Sequence, residues 1–273
     1  MRVRTGRFVL GIAVVTVPVV IALLGPLLAG RPPAREASFT EGAGHWLGTD
    51  FVGRDVWYLV LHGGRSVVLT ALAATALAYL VALPLGLVGA LTHRRLVEEL
   101  LLRPLDVLLA VPSLLLILLV ATVFSPGAVG LALLVAVVNV PDAARLVRAT
   151  ATEIAARPAV EAMRMQGETW WRIAVAHVGR SMVRTLAADA GTRLTGVLYL
   201  VATAAFLGVA AAPDAADWAV MVDRNRTGLF VQPWAVVVPA LLIVALTTGT
   251  NLLFDAALDK RGRNPGRTCV REA

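Results

Sequence analysis

Six runs of predominantly apolar residues, each near the roughly 20 positions that a helix needs to cross a bilayer, lie at about residues 8–29, 66–91, 104–123, 128–147, 185–208 and 234–257. Ser125-Pro126-Gly127, between the third and fourth runs, reads as a tight turn. The fifth is interrupted by Asp189, Thr192, Arg193 and Thr195. The first has the basic start and small-residue end (LLAGRPPA) of a cleaved signal. Its apolar length exceeds a usual signal core, and removing it would put the two chain ends on opposite sides of the membrane, so it is read as retained.

The stretches between these runs differ in kind. Residues 30–65 open with the helix-blocking RPPARE and continue as HWLGTDFVGRDVWYLVLHGGRS, where Trp46, Phe51, Trp57 and Tyr58 are interleaved with Asp50, Arg54 and Asp55. This is the pattern of an aromatic belt over a short amphipathic segment. Residues 209–233 (VAAAPDAADWAVMVDRNRTGLFVQP) form a second polar loop. The longest polar interruption contains VEAMRMQGETWWRIAVAHV, residues 160–178. Pro158 suits a first helical turn, Val160 and Met163 share one face, Glu161 and Arg164 pair on another, and Gly167 lets the chain turn. Such a helix either lies on the membrane with Trp170 and Trp171 among the headgroups, or docks on a partner.

Composition places the chain among polytopic membrane proteins: 58% of its 273 residues are hydrophobic, 16% are charged, and the mean hydropathy is +0.77. The net charge of +7 carries no suggestion of nucleic acid once its placement is considered. With the N-terminus inside, eighteen Lys and Arg residues fall on the cytoplasmic side and six on the other, leaving Arg193 within a span. Both termini are therefore expected in the cytoplasm. A single cysteine, Cys269, excludes an internal disulfide or thiol cluster.

Several chemistries have no residues to support them. No G-x-x-x-x-G-K-[ST] occurs and the only lysine is Lys260, so no phosphate-cradling loop can be built. His45, His62, His93 and His177 are scattered without H-E-x-x-H spacing, and there is no G-x-S-x-G elbow. No catalytic or metal-ligating residues are assigned. Asp189 and Arg193, four apart and able to pair on one helix face, are the candidates for either a transport pathway or helix pairing.

Four stretches in order carry a family resemblance. Glu161-Ala162-Met163 followed by Gly167 and His177 resembles the EAA loop of binding-protein-dependent ABC importer permeases. HWLGTDFVGRDVW (45–57), LRPLDVLLAVPSLLL (102–116) and AAFLGVAAAPDAADWAVMV (204–222) are similar to signatures of the dipeptide, oligopeptide and nickel permeases of the C-subunit type.

The resemblance implies an all-α, type I importer fold in a bacterial cytoplasmic membrane. Residues 1–29 would form a tail and first span, 30–65 an extracytoplasmic linker and amphipathic segment, and 66–259 a five-helix core with a coupling loop at about 149–180. Residues 260–273 would be a cytoplasmic tail. Arg157, Glu161, Ala162, Met163, Gly167 and Glu168 would contact a separate ATPase, and Asp50, Arg54, Asp55 and Trp218 would face a binding protein. The implied partners are a homologous second permease, one or two cytoplasmic ATPase subunits that hold ATP and Mg, an extracytoplasmic binding protein or lipoprotein, and the lipid bilayer. The implied cargo is di- or oligopeptides, with nickel chelates or another small solute as alternatives. Met163 stands where the family commonly has alanine, Gly179-Arg180 replaces Leu-Pro, and Val201 replaces a glutamate, which implies a distinct cavity. An ion-coupled secondary transporter is the rival function. It predicts repeated halves with broken helices, and no internal repeat is evident.

Overall fold

A computed structural model describes residues 2–42, 44–92, 95–209 and 216–261. The chain-end tail beyond Arg261 and residues 210–215 of the second outer loop, both included in the sequence expectations above, lie outside the described residues. The described residues form an all-helical fold. In chain order the helices are α1 (Arg2–Leu28), α2 (Val56–Leu91), α3 (Arg95–Leu109), α4 (Ser113–Phe124), α5 (Ala128–Ala155) and α6 (Pro158–Met165). A π-helical stretch, Arg172–Gly179, runs into α7 (Arg180–Phe206), followed by α8 (Trp218–Asn225), a single 3-10 turn and α9 (Trp234–Arg261).

Among the described residues, four segments are long and apolar enough to cross a membrane: Val9–Leu28, Val56–Leu91, Ala128–Ala155 and Trp234–Phe254. The expected third span is not one straight helix. Glu99–Leu109 and Ser113–Phe124 are bent by 89° across a short break. Pro112, at the N-cap of α4, lacks an amide hydrogen and disfavours helical geometry at Val111. The 12 residues of α4 rise only about 18 Å, short of a hydrocarbon core. The expected fifth span is α7, long enough at 27 residues but with Asp189 and Arg193 inside it. The six-span expectation thus resolves into four continuous spans, one bent pair and one helix with a polar face among the described residues. The turn at Ser125-Pro126-Gly127 is present, with Ser125 left-handed (φ 43°) as the cap of α4.

The second helix begins ten residues earlier than the expected span, at Val56, so the boundary placed at 65/66 falls inside α2. Asp55 starts it by accepting the amide of Tyr58 at 2.6 Å. Against α2 lies α5, through alanines on both helices: Ala74, Ala78 and Ala82 at four-residue spacing on one, Ala132, Ala136, Ala143 and Ala144 on the other, all buried. Within a bilayer lipid is as apolar as leucine, so helices associate where small side chains let backbones approach. A second cluster at the far end of α2 and α5 gathers Leu91, Val147, Ala151, Ile154, Ile173, Val178 and Met182 around Val160.

Candidate functional site: a short helix anchored at the end of the bundle

After α5 the chain turns at Ala156, Arg157 is extended, and Pro158 opens α6. Two side chains seat this eight-residue helix on the bundle: Val160, fully buried in a cluster drawn from α2, α5, the π-helical stretch and α7, and Met163, partly buried against the same cluster. The helix ends in a Schellman motif, in which Glu168 donates its amide to the Met163 carbonyl (3.1 Å) and Gly167 donates to that of Arg164 (3.0 Å). Gly167 sits at φ +77°, where a Cβ would be strained, although nothing lies within 4 Å of such a Cβ. The start and exit of α6 are therefore specified locally, and its seat is set by packing on the bundle.

The remaining face points away from the bundle. Glu161, Arg164, Gln166 and Gly167 are exposed, and Ala162 and Met163 are half-buried. Glu161 and Arg164 form no ion pair among the described residues, contrary to the pairing expected from their spacing. Arg157 pairs instead with Glu153 (3.5 Å) and Arg172 with Glu168 (3.3 Å), each four residues apart, the first pair exposed and the second open to solvent on its arginine side. Such pairs contribute well under about 1 kcal/mol. Sequence reasoning missed Met165, 79% exposed, and read Trp171, 71% exposed, only as a headgroup anchor. Met165 was detectable, because an apolar residue on the face opposite Val160 breaks the amphipathic pattern.

The outer segments 36–55 and 217–233 interlock into one cap. Phe51 donates its amide to Asn225 Oδ1 (2.9 Å), Gln232 Nε2 to the Leu47 carbonyl (2.7 Å) and Trp218 Nε1 to the Val60 carbonyl (2.8 Å). Trp218 is completely buried, with its ring against Gly64 of α2, where a Cβ would overlap it. Asp50, also fully buried, accepts the amides of Val52 (3.0 Å) and Arg54 (2.8 Å) and the Arg54 Nε (2.8 Å). Asp55 divides its carboxylate between the α2 cap and His45 Nδ1 at 2.5 Å. Asp50, Asp55 and Trp218, expected to face a binding protein, are enclosed by their own chain because unpaired backbone amides and an indole N–H need partners there. Of that set only Arg54 keeps part of its side chain at the surface. The aromatic residues the cap does present are Trp46 (89% exposed) and Phe230 (98%).

Two titratable groups in the cap depart from their ordinary values. His45 is raised, chiefly by its hydrogen bond to Asp55, with Glu36 at 3.5 Å adding to it and burial opposing. Asp217, which caps α8 through the amides of Ala219 (2.9 Å) and Val220 (3.4 Å), is raised by burial, and those bonds together with one to Ser66 work against the rise.

A third polar cluster lies within the bundle. Arg193 donates from Nε to Asp189 Oδ2 (3.0 Å), and the hydroxyl of Tyr79 on α2 bonds the same oxygen. The Arg193 guanidinium also lies 5.9 Å from the centre of the Tyr79 ring. The i,i+4 pair expected from sequence forms; Tyr79 was not anticipated, although a lone aromatic hydroxyl within an apolar span was its signal. Among the described residues no group of His, Cys, Asp or Glu could hold a metal ion.

Residues 82–263 match the sequence profile of the family described as "Binding-protein-dependent transport system inner membrane component". The chain belongs to this family. The matched range of the permease runs from the end of α2 through α9 and so includes α6. The "Probable D,D-dipeptide transport system permease protein DdpC" of Escherichia coli (strain K12) is 30% identical to it over 217 residues, covering 80% of this chain and 72% of that protein. The "Dipeptide transport system permease protein DppC" of Alkalihalophilus pseudofirmus is 27% identical over 255 residues, 92% of this chain and 84% of the relative. The "Glutathione transport system permease protein GsiD" of Pectobacterium atrosepticum is 27% identical over 215 residues, covering 79% and 71%. The resemblance carried by the four sequence stretches therefore holds at the level of the family. The permease is a multi-pass inner-membrane component of a binding-protein-dependent transport system, whose nucleotide-hydrolysing work belongs to other subunits.

Proposed function

We propose that this permease is one of two homologous membrane subunits of an ATP-driven importer for di- or oligopeptides, with α6 as its coupling helix. The observation that carries this reading is the asymmetry of α6: buried Val160 and partly buried Met163 seat it on a cluster drawn from four elements of the bundle, and its other face is exposed. Relatives named for dipeptide, D,D-dipeptide and glutathione transport support the peptide class.

The geometry gives the proposed coupling a physical route. Closure of paired ATPase subunits, which hold ATP and Mg, displaces α6 through Glu161, Ala162, Met163, Met165 and the exposed Trp171. Arg157 and Glu168 bound the helix on either side. Val160 cannot slide within a close-packed cluster, so the displacement passes to α5, α7 and the end of α2 as a movement of whole helices. The loop and both termini then lie in the cytoplasm, and the cap faces outward toward a substrate-binding protein or lipoprotein.

Reconstitution with the partner permease, the ATPases and the binding protein tests this reading. ATP inside the vesicles' coupling side should drive peptide uptake, and Gly167→Pro should abolish it while peptide affinity of the binding protein stays unchanged. Uptake by this chain alone on a proton or sodium gradient would overturn the reading in favour of an ion-coupled carrier.

A further inference from the structure

On α7 small and polar residues gather along one face. The other spans expose aliphatic residues, Leu72 and Leu80 on α2, Leu133 and Val137 on α5 and Leu241 on α9, beside the exposed polar residues Asp142 and Arg145 on α5 and Thr248 and Asn251 on α9. The aliphatic surfaces suit lipid tails. Along one face of α7, at three- and four-residue spacing, stand Asp189, Thr192, Arg193, Gly196, Tyr199 and Thr203. Thr192, Gly196 and Tyr199 are exposed. A row of hydroxyl groups ending in two ionisable side chains would be costly against hydrocarbon, and it suits a hydrated path.

Two further features lie on that face. At the end of α7 away from α6, a mainly apolar cavity of about 330 Å³ opens between α7, α8 and α9, bordered by Phe206, Val222, Ile243 and Val244 together with Tyr199 and Thr203. That volume reaches the lower end of the range for small-molecule sites. Toward α6 lie Asp189 and Arg193, with side chains 24% and 12% exposed. Asp189 is nine residues into α7, a rise of about 14 Å from its start, and Tyr199 lies about 15 Å further on. A mainly apolar cavity, with the hydroxyl-bearing Tyr199, Thr203 and Thr247 on its border, is thus followed along one helix by a charged pair.

We propose that Asp189 and Arg193, held in place by Tyr79, form a polar station for the transported solute, contacting a free carboxylate and a free ammonium group on the same molecule. This rests on the reading of the chain as a subunit of a peptide-class importer. The two bonds of Arg193 to Asp189 leave further N–H donors of its five-donor fork for a carboxylate. The exposed part of the Asp189 carboxylate faces an ammonium group. Because the pair neutralises itself, it attracts neither end of a zwitterion strongly and lets the solute leave. A saturated, partly exposed pair is the arrangement expected of a passage point; a storage site would hold one unpaired charge.

The test uses the full complex in proteoliposomes, with dialanine as the probe. Arg193→Gln and Asp189→Asn should each lower dialanine uptake at least about tenfold, the effect of losing one charge-assisted bond, while complex assembly and binding-protein-stimulated ATP hydrolysis persist. Full uptake in Arg193→Gln overturns the station. So does loss of uptake together with loss of assembly, both restored by the exchange Asp189→Arg with Arg193→Asp, since that outcome makes the pair a helix clamp. Thr192→Cys, with Cys269→Ser, gives an answer even where the charge variants fail to assemble. A water-soluble, charged thiol reagent should label it, and dialanine in the cycling complex should slow the labelling. Inertness to the reagent overturns the path along α7. Absence of ATP-driven uptake in the unmodified complex would instead remove the importer reading on which the station rests.

Discussion

The cap formed by 36–55 with 217–233 and the loop carrying α6 are the same kind of sequence: short, charged, aromatic and set between apolar runs. Their fates are opposite. In the cap, Asp50, Asp55, Asn225, Gln232 and Trp218 are turned inward and bonded to one another or to backbone. In the loop, Glu161, Arg164, Met165 and Trp171 are turned outward, and the residues turned in are apolar: Val160, Ile173, Ala174 and Val178, with Met163 partly buried beside them. A segment that satisfies its own polar groups, Gln232 Oε1 excepted, has folded for stability. One that holds a rigid backbone while leaving its side chains unengaged is shaped for something else.

The comparison breaks most visibly at Trp218. Trp218→Ala removes a fully buried indole and its bond to Val60, and should cost about 3–5 kcal/mol, read as a lower unfolding temperature in detergent. Retention of the parent temperature would mean that the cap does not stabilise the bundle. Asp50→Ala removes the acceptor of the Val52 and Arg54 amides and the bond to Arg54 Nε, for about 2–3 kcal/mol by the same assay.

Gly167→Ala should behave in the opposite way. Its left-handed backbone costs about 1–2 kcal/mol with alanine, relieved by re-aiming the chain after α6, so unfolding moves little while peptide-stimulated ATP hydrolysis falls severalfold. Equal losses in both would show that α6 is one more structural element.

The cap also carries a pH dependence. The folded-state pKa of His45 lies above its ordinary value of 6.5, so its contribution to stability is complete below about pH 6.5 and is lost as pH rises through the folded value. The stability gap between the parent chain and His45→Gln should narrow from pH 6 to pH 9; a constant gap would show that His45 acts only by packing. The smallest effect is expected at Arg172→Ala, under about 0.5 kcal/mol, because its pair with Glu168 is exposed.

Legibility followed the range of the interactions involved. Hydropathy along the chain located the apolar elements, and spacing alone was enough to pair Asp189 with Arg193 and to place the turn at Gly167. It could not decide the bend at Pro112, because Pro84, Pro141 and Pro239 in similar apolar runs lie inside continuous helices. Nor could it separate the buried aspartates of the cap from exposed ones. Asp50 and Asp55 look like surface residues until Asn225 and Gln232 are folded onto their segment.

By itself the sequence determined a helical membrane protein, its family, and a short rod between two spans, since each of these depends on composition or on neighbours a few positions apart. Only the tertiary structure decided which polar residues serve the fold and which remain available. Phe51 meets Asn225 across 174 positions, Leu47 meets Gln232 across 185, and Tyr79 meets Asp189 across 110. No local pattern encodes contacts of that separation; they arise when apolar helices pack and bring distant polar groups to places where each must find a partner.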